Sequence, residues 1–164
     1  MPVEIERKFL VADDAWRACV TRTALFRQGY LATTRACSVR VRVGGEQAWL
    51  GVKGRVIGIS RPEYEYPIPV VEAHQILDTL CDEGRVEKYR HWVAHGDREW
   101  EVDEFLGANA GLVVAELEIE REDEFFPLPS WLGPEVTHDV RYYNSSLALA
   151  PWSGWAEEAK REST

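Results

Sequence analysis

The first strand-like segment of the chain, residues 3–11, places two carboxylates and an ammonium group on one face. Successive side chains of an extended strand point to opposite faces, so Glu4, Glu6 and Lys8 share one face while apolar side chains fill most of the other. A surface strand normally shows water a mixed set of polar residues. An undiluted row of charges, repeated in later strands, limits the choice of folds more than any other feature of this sequence.

Later segments do repeat the alternation of apolar and charged side chains. In residues 38–43, three valines face one way while Arg40 and Arg42 face the other, and the glycines that follow predict a hairpin turn. In residues 112–120, Glu116 and Glu118 oppose a wholly apolar face. Such alternation predicts an antiparallel sheet and favours its closure into a barrel. Further strand-like segments are residues 25–31, 47–53, 61–68, 85–93 and 99–103.

Two segments have a helical pattern instead. Residues 71–83 carry an apolar stripe that includes Leu77 and Leu80, and Gly84 is expected to end this helix. A last helix is predicted over residues 139–149. Apolar stripes need a surface to cover, and the outer faces of the strands provide one if the charged faces point inward.

Length and composition bound the class of protein. A chain of 164 residues with 45% hydrophobic and 29% charged residues is long enough for one globular domain, and we find no linker within residues 1–164. No apolar run reaches the roughly 18 residues of a membrane helix, and the N-terminus lacks a signal-peptide pattern. Cys19, Cys37 and Cys81 are far apart, which argues against a disulfide framework or a zinc site and favours the cytoplasm.

The net charge of −9 argues against a general nucleic-acid binder, whose affinity comes from basic patches that face phosphate. A local group of basic residues can still bind a small anion. The glycines between residues 51 and 58 do not form a phosphate loop, because no Gly-Lys-Ser/Thr ending and no helical pattern follow them.

The charged faces are segregated by sign, and this gives them a chemical meaning. Like charges about 4 Å apart repel by roughly 1 kcal/mol in water and by about 4 kcal/mol at an effective dielectric of about 20. Converging carboxylates therefore need a cation, for which Mg²⁺ or Mn²⁺ is suited, and converging Arg and Lys need an anion such as phosphate. The acidic set is Glu4, Glu6, Glu116 and Glu118, and the basic set is Lys8, Arg40, Arg42, Lys53, Lys88 and Arg90.

The alternative is that these charges simply face solvent, which is usual for a half-exposed sheet. A single pair, such as Arg40 with Arg42, fits that interpretation. Repetition over five or more strands favours an inward-facing site instead. Both sets in one cavity predict a site for a metal-bound polyphosphate.

These residues resemble the CYTH domain family, the triphosphate tunnel metalloenzymes. The segment from Glu4 to Lys8 resembles the family's ExExK signature, and residues 136–144 resemble its compact bacterial branch, whose last helix lies at one tunnel mouth. The match continues in the family's order and covers nearly the whole chain. It runs through Arg40-Val41-Arg42, Lys53-Gly54, Glu63 with Glu65, Lys88 with Arg90, Asp103 and Glu116-Leu117-Glu118.

The resemblance implies an α+β fold: an eight-stranded antiparallel β-barrel, or tunnel, with a charged interior and helices packed outside. It also implies hydrolysis of a linear triphosphate assisted by one or two Mg²⁺ or Mn²⁺ ions. By similarity, the acidic set holds the metal and the basic set binds phosphate oxygens. Glu63, Glu65 and Asp103 would orient those cations or help to order the attacking water.

The choice of substrate is less constrained. Inorganic triphosphatases, thiamine and nucleoside triphosphatases and class IV adenylyl cyclases share these residues, and a non-catalytic polyphosphate-binding module is a further alternative. A short chain without an obvious base-recognition segment favours inorganic triphosphate, cleaved to pyrophosphate and phosphate. The expected partner is this small molecule, with no nucleic acid or membrane, and a homodimer is left open.

Overall fold

The computed structural model describes residues 1–81 and 84–161, and β-strands dominate these residues. Their bounds agree with the alternating segments of the sequence, and most strands extend a few residues beyond them. The strands are β1 (Val3–Val11), β2 (Val20–Thr33), β3 (Cys37–Gly44), β4 (Gln47–Gly54), β5 (Ser60–Pro67), β6 (Arg85–His95), β7 (Arg98–Phe105), β8 (Val113–Glu118) and β9 (Leu132–Glu135).

Eight of these strands form a closed antiparallel barrel. The order around the sheet is β5-β4-β3-β2-β6-β7-β8-β1, and pairing between β1 and β5 completes the ring. Strand β1 makes this closure by pairing its first residues with β5, from Val3↔Pro62 to Ile5↔Ser60, and residues 6–10 with β8. The predicted eight-stranded barrel is therefore confirmed. Strand β9 adds a short ninth strand beside β1, which the sequence analysis did not predict.

The outer face of β3 and β4 is covered by helix α1 (Val70–Leu80). Leu77 and Ala73 of α1 are buried against Val41 and Val43 of the barrel wall. Gly29 allows the close approach of the helix end, since a Cβ there would lie 2.7 Å from the Cβ of Cys81. The helix begins one residue before its predicted start and ends at Leu80 rather than at Gly84, because Cys81 already has non-helical φ and ψ of −118° and 51°. The predicted helical residues 82–83 lie outside the described residues.

A second outer core is aromatic. A short 3-10 helix, Ala15–Cys19, buries Trp16 in the cluster that also contains Phe9, Trp100 and Trp131. Trp100 makes edge-on contacts with Phe9 and Trp131, at ring-centroid distances of 5.7 and 5.9 Å. These tryptophans pack the outer core.

At one end of β1, β6, β7 and β8 the inner face changes from charged to apolar. Leu10 and Val114 continue the faces that carry Lys8 and Glu116, and they pack with Leu147 of α2 (Asn144–Leu149). Helix α1 thus covers an outer face of the barrel, as predicted, and α2 packs at this apolar end of the barrel. A third helix, α3 (Glu157–Arg161), follows α2 along the chain.

The predicted single helix over residues 139–149 is wrong. A 3-10 turn, Val140–Tyr142, comes first, and α2 begins only after Tyr143, whose φ and ψ of −65° and 138° are those of extended backbone. The turn is closed by the Asp139 carboxylate, which accepts a hydrogen bond from the backbone N–H of Arg141. This break directs Tyr143 and Asn144 into the barrel cavity.

Two of the sequence-based exclusions can be compared with the described residues. Within them, no helix has both the length and the apolar character needed to cross a membrane. Among the described residues, no disulfide joins Cys19, Cys37 or Cys81.

Candidate active site

The barrel encloses a cavity of about 560 Å³, within the ~300–1,000 Å³ range of small-molecule sites. Its lining contains equal numbers of acidic and basic side chains, seven of each. The acidic residues are Glu4, Glu6, Glu63, Glu65, Glu101, Glu116 and Glu118, and the basic residues are Lys8, Arg40, Arg42, Lys53, Arg61, Lys88 and Arg90.

Strand register explains why these side chains converge. Glu6 pairs with Glu118 and Lys8 with Glu116 across β1 and β8, so four charged residues lie side by side on the inner face. On the other side of β1, Glu4 pairs with Arg61 of β5. The period-2 alternation keeps each charged row inside the barrel while the apolar rows pack outside.

Glu4 is neutralised by the protein's own cations. Its carboxylate accepts hydrogen bonds from Lys53 Nζ at 2.8 Å and from Arg61 Nε at 2.7 Å. Burial alone would raise the pKa of Glu4, but Lys53 and Arg61 outweigh burial and hold the pKa far below its ordinary value. Glu4 is therefore ionised and paired before any ligand binds.

Glu116 is held in a similar way. Lys8 Nζ lies 3.2 Å from one carboxylate oxygen and Arg90 Nη2 lies 3.4 Å from the other. Burial opposes the ionised form, but the charges of Lys8 and Arg90 lower the pKa of Glu116 well below its usual range. The same contact raises the pKa of Lys8, although burial acts in the opposite direction.

Glu6 and Glu118 lack such partners. Neither carboxylate makes an ion pair or a side-chain hydrogen bond with the residues that the structure describes. Burial, together with the charges of Glu116 and Glu4, raises the pKa of Glu6 well above its ordinary value. Burial and Glu4 also raise the pKa of Glu118. The ionised forms of these two carboxylates are therefore disfavoured, and the charge of Lys53 offsets this effect only in part.

The carboxylates fit a hard divalent cation by their chemistry. Oxygen ligands suit Mg²⁺ and Mn²⁺, and such an ion would stabilise the ionised forms of Glu6 and Glu118, which their surroundings otherwise disfavour. Throughout residues 1–81 and 84–161, however, no three His, Cys, Asp or Glu side chains already converge in a metal-ligand arrangement. Glu4 and Glu116 instead contact Lys and Arg, which would compete with a metal for the carboxylate oxygens.

The basic side of the cavity has the complementary imbalance. Arg42 and Arg40 share Glu65, at 3.3 and 3.8 Å, and the buried Nε atoms of both guanidinium groups have no hydrogen-bond acceptor among the described residues. Burial, Arg40 and Arg90 lower the pKa of Arg42 to about 10. Buried guanidinium donors without an acceptor are suited to an oxygen-rich anion.

Lys88 and Arg90 are fixed from behind by Asp103. Lys88 Nζ lies 2.6 Å from the Asp103 carboxylate, which also accepts two hydrogen bonds from Arg90, at 2.8 and 2.9 Å. Burial lowers the pKa of Lys88 to about 8, even though Asp103 favours its charged form. Burial would raise the pKa of Asp103, but Arg90 and Lys88 lower it.

The structure brings twelve of the thirteen predicted site residues to the cavity wall. The exception is Asp103, which is completely buried and supports Lys88 and Arg90 without bordering the cavity. Glu63 lies beside Lys53 at 3.8 Å, and burial raises its pKa. Sequence reasoning missed Arg61, Glu101, Tyr143 and Asn144, of which the first two lie two residues before a predicted site residue on the same strand face.

Comparison with known proteins identifies the class to which this fold and site belong. The CYTH domain family matches residues 2–147, and the chain therefore belongs to the CYTH domain family, as its sequence motifs predicted. Two relatives, both called inorganic triphosphatase, align with nearly the whole chain. The protein from Acetivibrio thermocellus is 48% identical over 157 residues, covering 96% of this chain and 100% of the relative.

The relative from Nitrosomonas europaea is 38% identical over 151 residues, covering 90% of this chain and 97% of the relative. Among solved structures, a crystal structure of an inorganic triphosphatase matches with a TM-score of 0.65 and 36% identity, covering 91% of this chain and 96% of that one. Sequence and three-dimensional comparison thus agree on the family.

Proposed function

We propose that this chain is an inorganic triphosphatase, which hydrolyses the terminal phosphoanhydride bond of tripolyphosphate to give pyrophosphate and phosphate. The observation that carries the proposal is that Glu6 and Glu118, which have no ion-pair partner among the described residues, lie in the same cavity as two unsatisfied donors. These donors are the buried Nε atoms of Arg40 and Arg42, which have no acceptor among those residues. The names of both relatives and of the solved structure support this substrate class.

The cationic side chains would bind the triphosphate. Arg40 and Arg42 have Nε donors available, and Asp103 holds Lys88 and Arg90 in place. These four cationic side chains would therefore donate the first hydrogen bonds to phosphate oxygens. Lys8 and Lys53 would join them on leaving Glu116 and Glu4. Glu65 and Glu63 would orient the cations beside them. Fixed cations aimed at the phosphoryl oxygens stabilise the negative charge that develops during transfer.

A divalent metal ion fits the acidic side. Membership of the CYTH family favours metal dependence in general, and we propose Mg²⁺ or Mn²⁺ because the donors are carboxylate oxygens. Glu6 and Glu118 would bind the ion first, and Glu4 and Glu116 would complete the set. When bound, the ion supplies neutralisation of the phosphate charge and activation of the attacking water.

The reaction itself needs one water molecule. Its oxygen attacks the terminal phosphorus, the bond from that phosphorus to the bridging oxygen breaks, and pyrophosphate leaves with the bonding electrons. Arg42, Arg90 and Lys88 neutralise charge on the transferred and leaving groups. The proton of the water goes to solvent or to a carboxylate that lines the cavity.

A substrate panel tests the proposal. Phosphate release is measured with tripolyphosphate, ATP and thiamine triphosphate, each with Mg²⁺, with Mn²⁺ and with chelator, and cyclic AMP is assayed in parallel. We expect tripolyphosphate to have the highest kcat/KM, equal yields of phosphate and pyrophosphate by phosphorus NMR, and no turnover with chelator. Cyclic AMP as the main product, or tight binding without turnover, would contradict the proposal.

Two variants locate the activity in the cavity. Glu6→Gln removes an unpaired carboxylate and should lower metal-dependent kcat at least about 100-fold, whereas Arg42→Gln should mainly raise KM. Glu46→Gln, in the exposed turn between β3 and β4, and Arg121→Gln, whose side chain is 74% exposed, are matched controls and should keep wild-type kinetics. Unchanged kinetics in both cavity variants would contradict the site.

Three further parts of the proposal follow from the family assignment. Residues 1–164 act as one domain, supported by the match over residues 2–147. The partner is the small-molecule triphosphate rather than nucleic acid or a membrane. The three widely spaced cysteines favour function in the cytoplasm.

A further inference from the structure

Asn144, the first residue of α2, connects the C-terminal part of the chain to the basic side of the cavity. Its Oδ1 accepts a hydrogen bond from Lys88 Nζ at 2.9 Å and another from Gln28 Nε2 at 3.2 Å. Asn144 lines the cavity, whereas Gln28 is 1% exposed and Lys88 is also 1% exposed. Strands β2 and β6 and helix α2 therefore meet at one amide oxygen.

The orientation of the Asn144 amide is determined by these neighbours. A lysine ammonium can only donate hydrogen bonds, so it requires the amide oxygen and not the amide nitrogen. The opposite orientation would place the NH₂ group against an ammonium and leave a buried donor without an acceptor, which is costly. The Lys88 contact therefore fixes which atom of Asn144 faces it.

The donors of Lys88 can be counted. An ammonium group has three N–H bonds, of which one points to Asp103 and one to Asn144. These two acceptors restrict rotation of the ammonium group, which also lies 5.5 Å from the ring centre of Phe105. Its third N–H bond has no oxygen acceptor among the described residues and remains for another ligand. Lys88 borders the cavity, so the acceptor there would be an oxygen of a bound anion.

We propose that Asn144 is a positioning residue for triphosphate hydrolysis, which holds the Lys88 ammonium so that its remaining N–H bond is directed at a phosphate oxygen. This inference rests on the proposed function of the cavity. Asn144 acts through Lys88, and Gln28 in turn holds Asn144. The extended backbone at Tyr143 interrupts the helical structure, and this interruption allows the first residue of α2 to reach this position.

The charged groups around Lys88 come from three strands. Asp103 on β7 and Glu116 on β8 favour its ammonium form, and Arg90 on β6 opposes it. The Asn144 oxygen adds an acceptor that also stabilises the charged form. Replacing Asn144 should therefore change the ionisation of Lys88 in a direction that depends on the substituent: Ala removes an acceptor, and Asp adds a negative charge.

The test is carbon-13 NMR of lysine Cε signals in the ligand-free protein, which measures Lys88 without relying on catalysis. The sequence contains four lysines, Lys8, Lys53, Lys88 and Lys160, and a Lys88→Arg variant assigns the signal. We expect Asn144→Ala to lower the titration midpoint of Lys88 and Asn144→Asp to raise it. In Asn144→Ala, kcat/KM for tripolyphosphate should fall about 10- to 100-fold, the loss expected for one hydrogen bond to a charged group.

Ser146→Ala, in the same helix but outside the cavity lining, is the matched control and should change neither the midpoint nor the kinetics. If both Asn144 variants melt at the same temperature as the wild type and the titration midpoint of Lys88 is unchanged in both, the inference is overturned. Hydrolysis of tripolyphosphate by the wild-type protein would still support the proposed function in that case. Shifted midpoints in a protein whose wild type does not hydrolyse tripolyphosphate would support the Asn144 contact and overturn the proposed function instead. If Asn144→Ala does not fold, Asn144→Asp decides by the same measurement.

Discussion

At the scale of single residues, Glu6 is the carboxylate whose environment most requires a ligand. Glu4 and Glu116 have Lys and Arg partners, but Glu6 faces Glu116 and Glu4 with no ion pair to the described residues. Because the folded-state pKa of Glu6 is raised above its ordinary value of 4.5, the protonated form is the one that folding favours. The stability of the metal-free protein should therefore decrease as pH rises through that raised pKa.

Glu6→Gln should remove this dependence. At pH 7 the melting temperature of the metal-free variant should exceed that of the wild type by about 2–4 °C, the shift that roughly 1 kcal/mol produces in a domain of this size. Mg²⁺ should raise the melting temperature of the wild type but not of the variant, because a ligand stabilises only the state that binds it. Calorimetry from pH 5 to pH 8, with Glu46→Gln as control, measures both effects. A lower melting temperature for metal-free Glu6→Gln would contradict this account.

Individual site residues could be predicted to the extent that strand alternation defines them. Strand alternation and the family motifs located the charged rows, but they do not show how deeply each side chain is buried. The position of Asp103 behind the cavity wall was therefore not predictable. Arg61 and Glu101 lay on the correct faces but outside the motifs. Asn144 ends the segment 136–144 that resembles the compact branch, but its place at the cavity depends on where the helix is interrupted before α2.

At the scale of elements, α1 stabilises the barrel from outside the cavity. Leu77 is 1% exposed and packs against β3, while Val71 on the same helix is 69% exposed. Leu77→Ala should lower the free energy of unfolding by about 2–5 kcal/mol, the usual cost of deleting a buried leucine. KM for tripolyphosphate should stay at its wild-type value below the melting temperature, because α1 contributes no residue to the cavity lining.

Urea unfolding and steady-state kinetics of the same preparations measure these two quantities. Val71→Ala is the control and should change stability by less than about 0.5 kcal/mol. A large increase in KM for folded Leu77→Ala would show that α1 acts on the site, contrary to this assignment.

Elements with a strong local pattern were predicted well, and elements fixed by tertiary contacts were not. The strands around Arg40, Lys88 and Glu116 follow from alternation alone. Strand β9 contains Gly133 and Pro134, which disfavour strand structure locally, and it exists because it pairs with β1. The predicted last helix failed because the capped turn at Asp139 competes with continuous helix.

At the scale of the whole molecule, the cavity and the surface have different charge balances. The chain has a net charge of −9, but the cavity wall contains seven acidic and seven basic side chains. The overall charge therefore says little about the ligand, whereas the arrangement inside the barrel indicates one cationic and one anionic partner. That arrangement is a property of closure, since it needs both β1–β5 and β1–β8 pairing.

The paired charges have a consequence for binding. Lys53 and Arg61 contact Glu4, and Lys8 and Arg90 contact Glu116. A metal alone therefore competes with these cations for the carboxylates, and triphosphate alone competes with the carboxylates for the cations. Each ligand releases the partners that the other needs. Metal and triphosphate should therefore bind with positive coupling, and the coupling must be the same from either direction.

The positive coupling of metal and triphosphate binding is tested most directly by isothermal titration of Mn²⁺ into the protein. The titration is run with and without a saturating non-hydrolysable triphosphate analogue, and it is corrected for metal binding by the analogue itself. We expect the analogue to increase Mn²⁺ affinity about 5- to 150-fold, the range of typical coupling energies, and Glu6→Gln to abolish the increase. Equal Mn²⁺ affinity with and without the analogue would contradict the view that metal and triphosphate bind together in one cavity. That cavity is the one lined by Glu4, Glu6, Glu116 and Glu118.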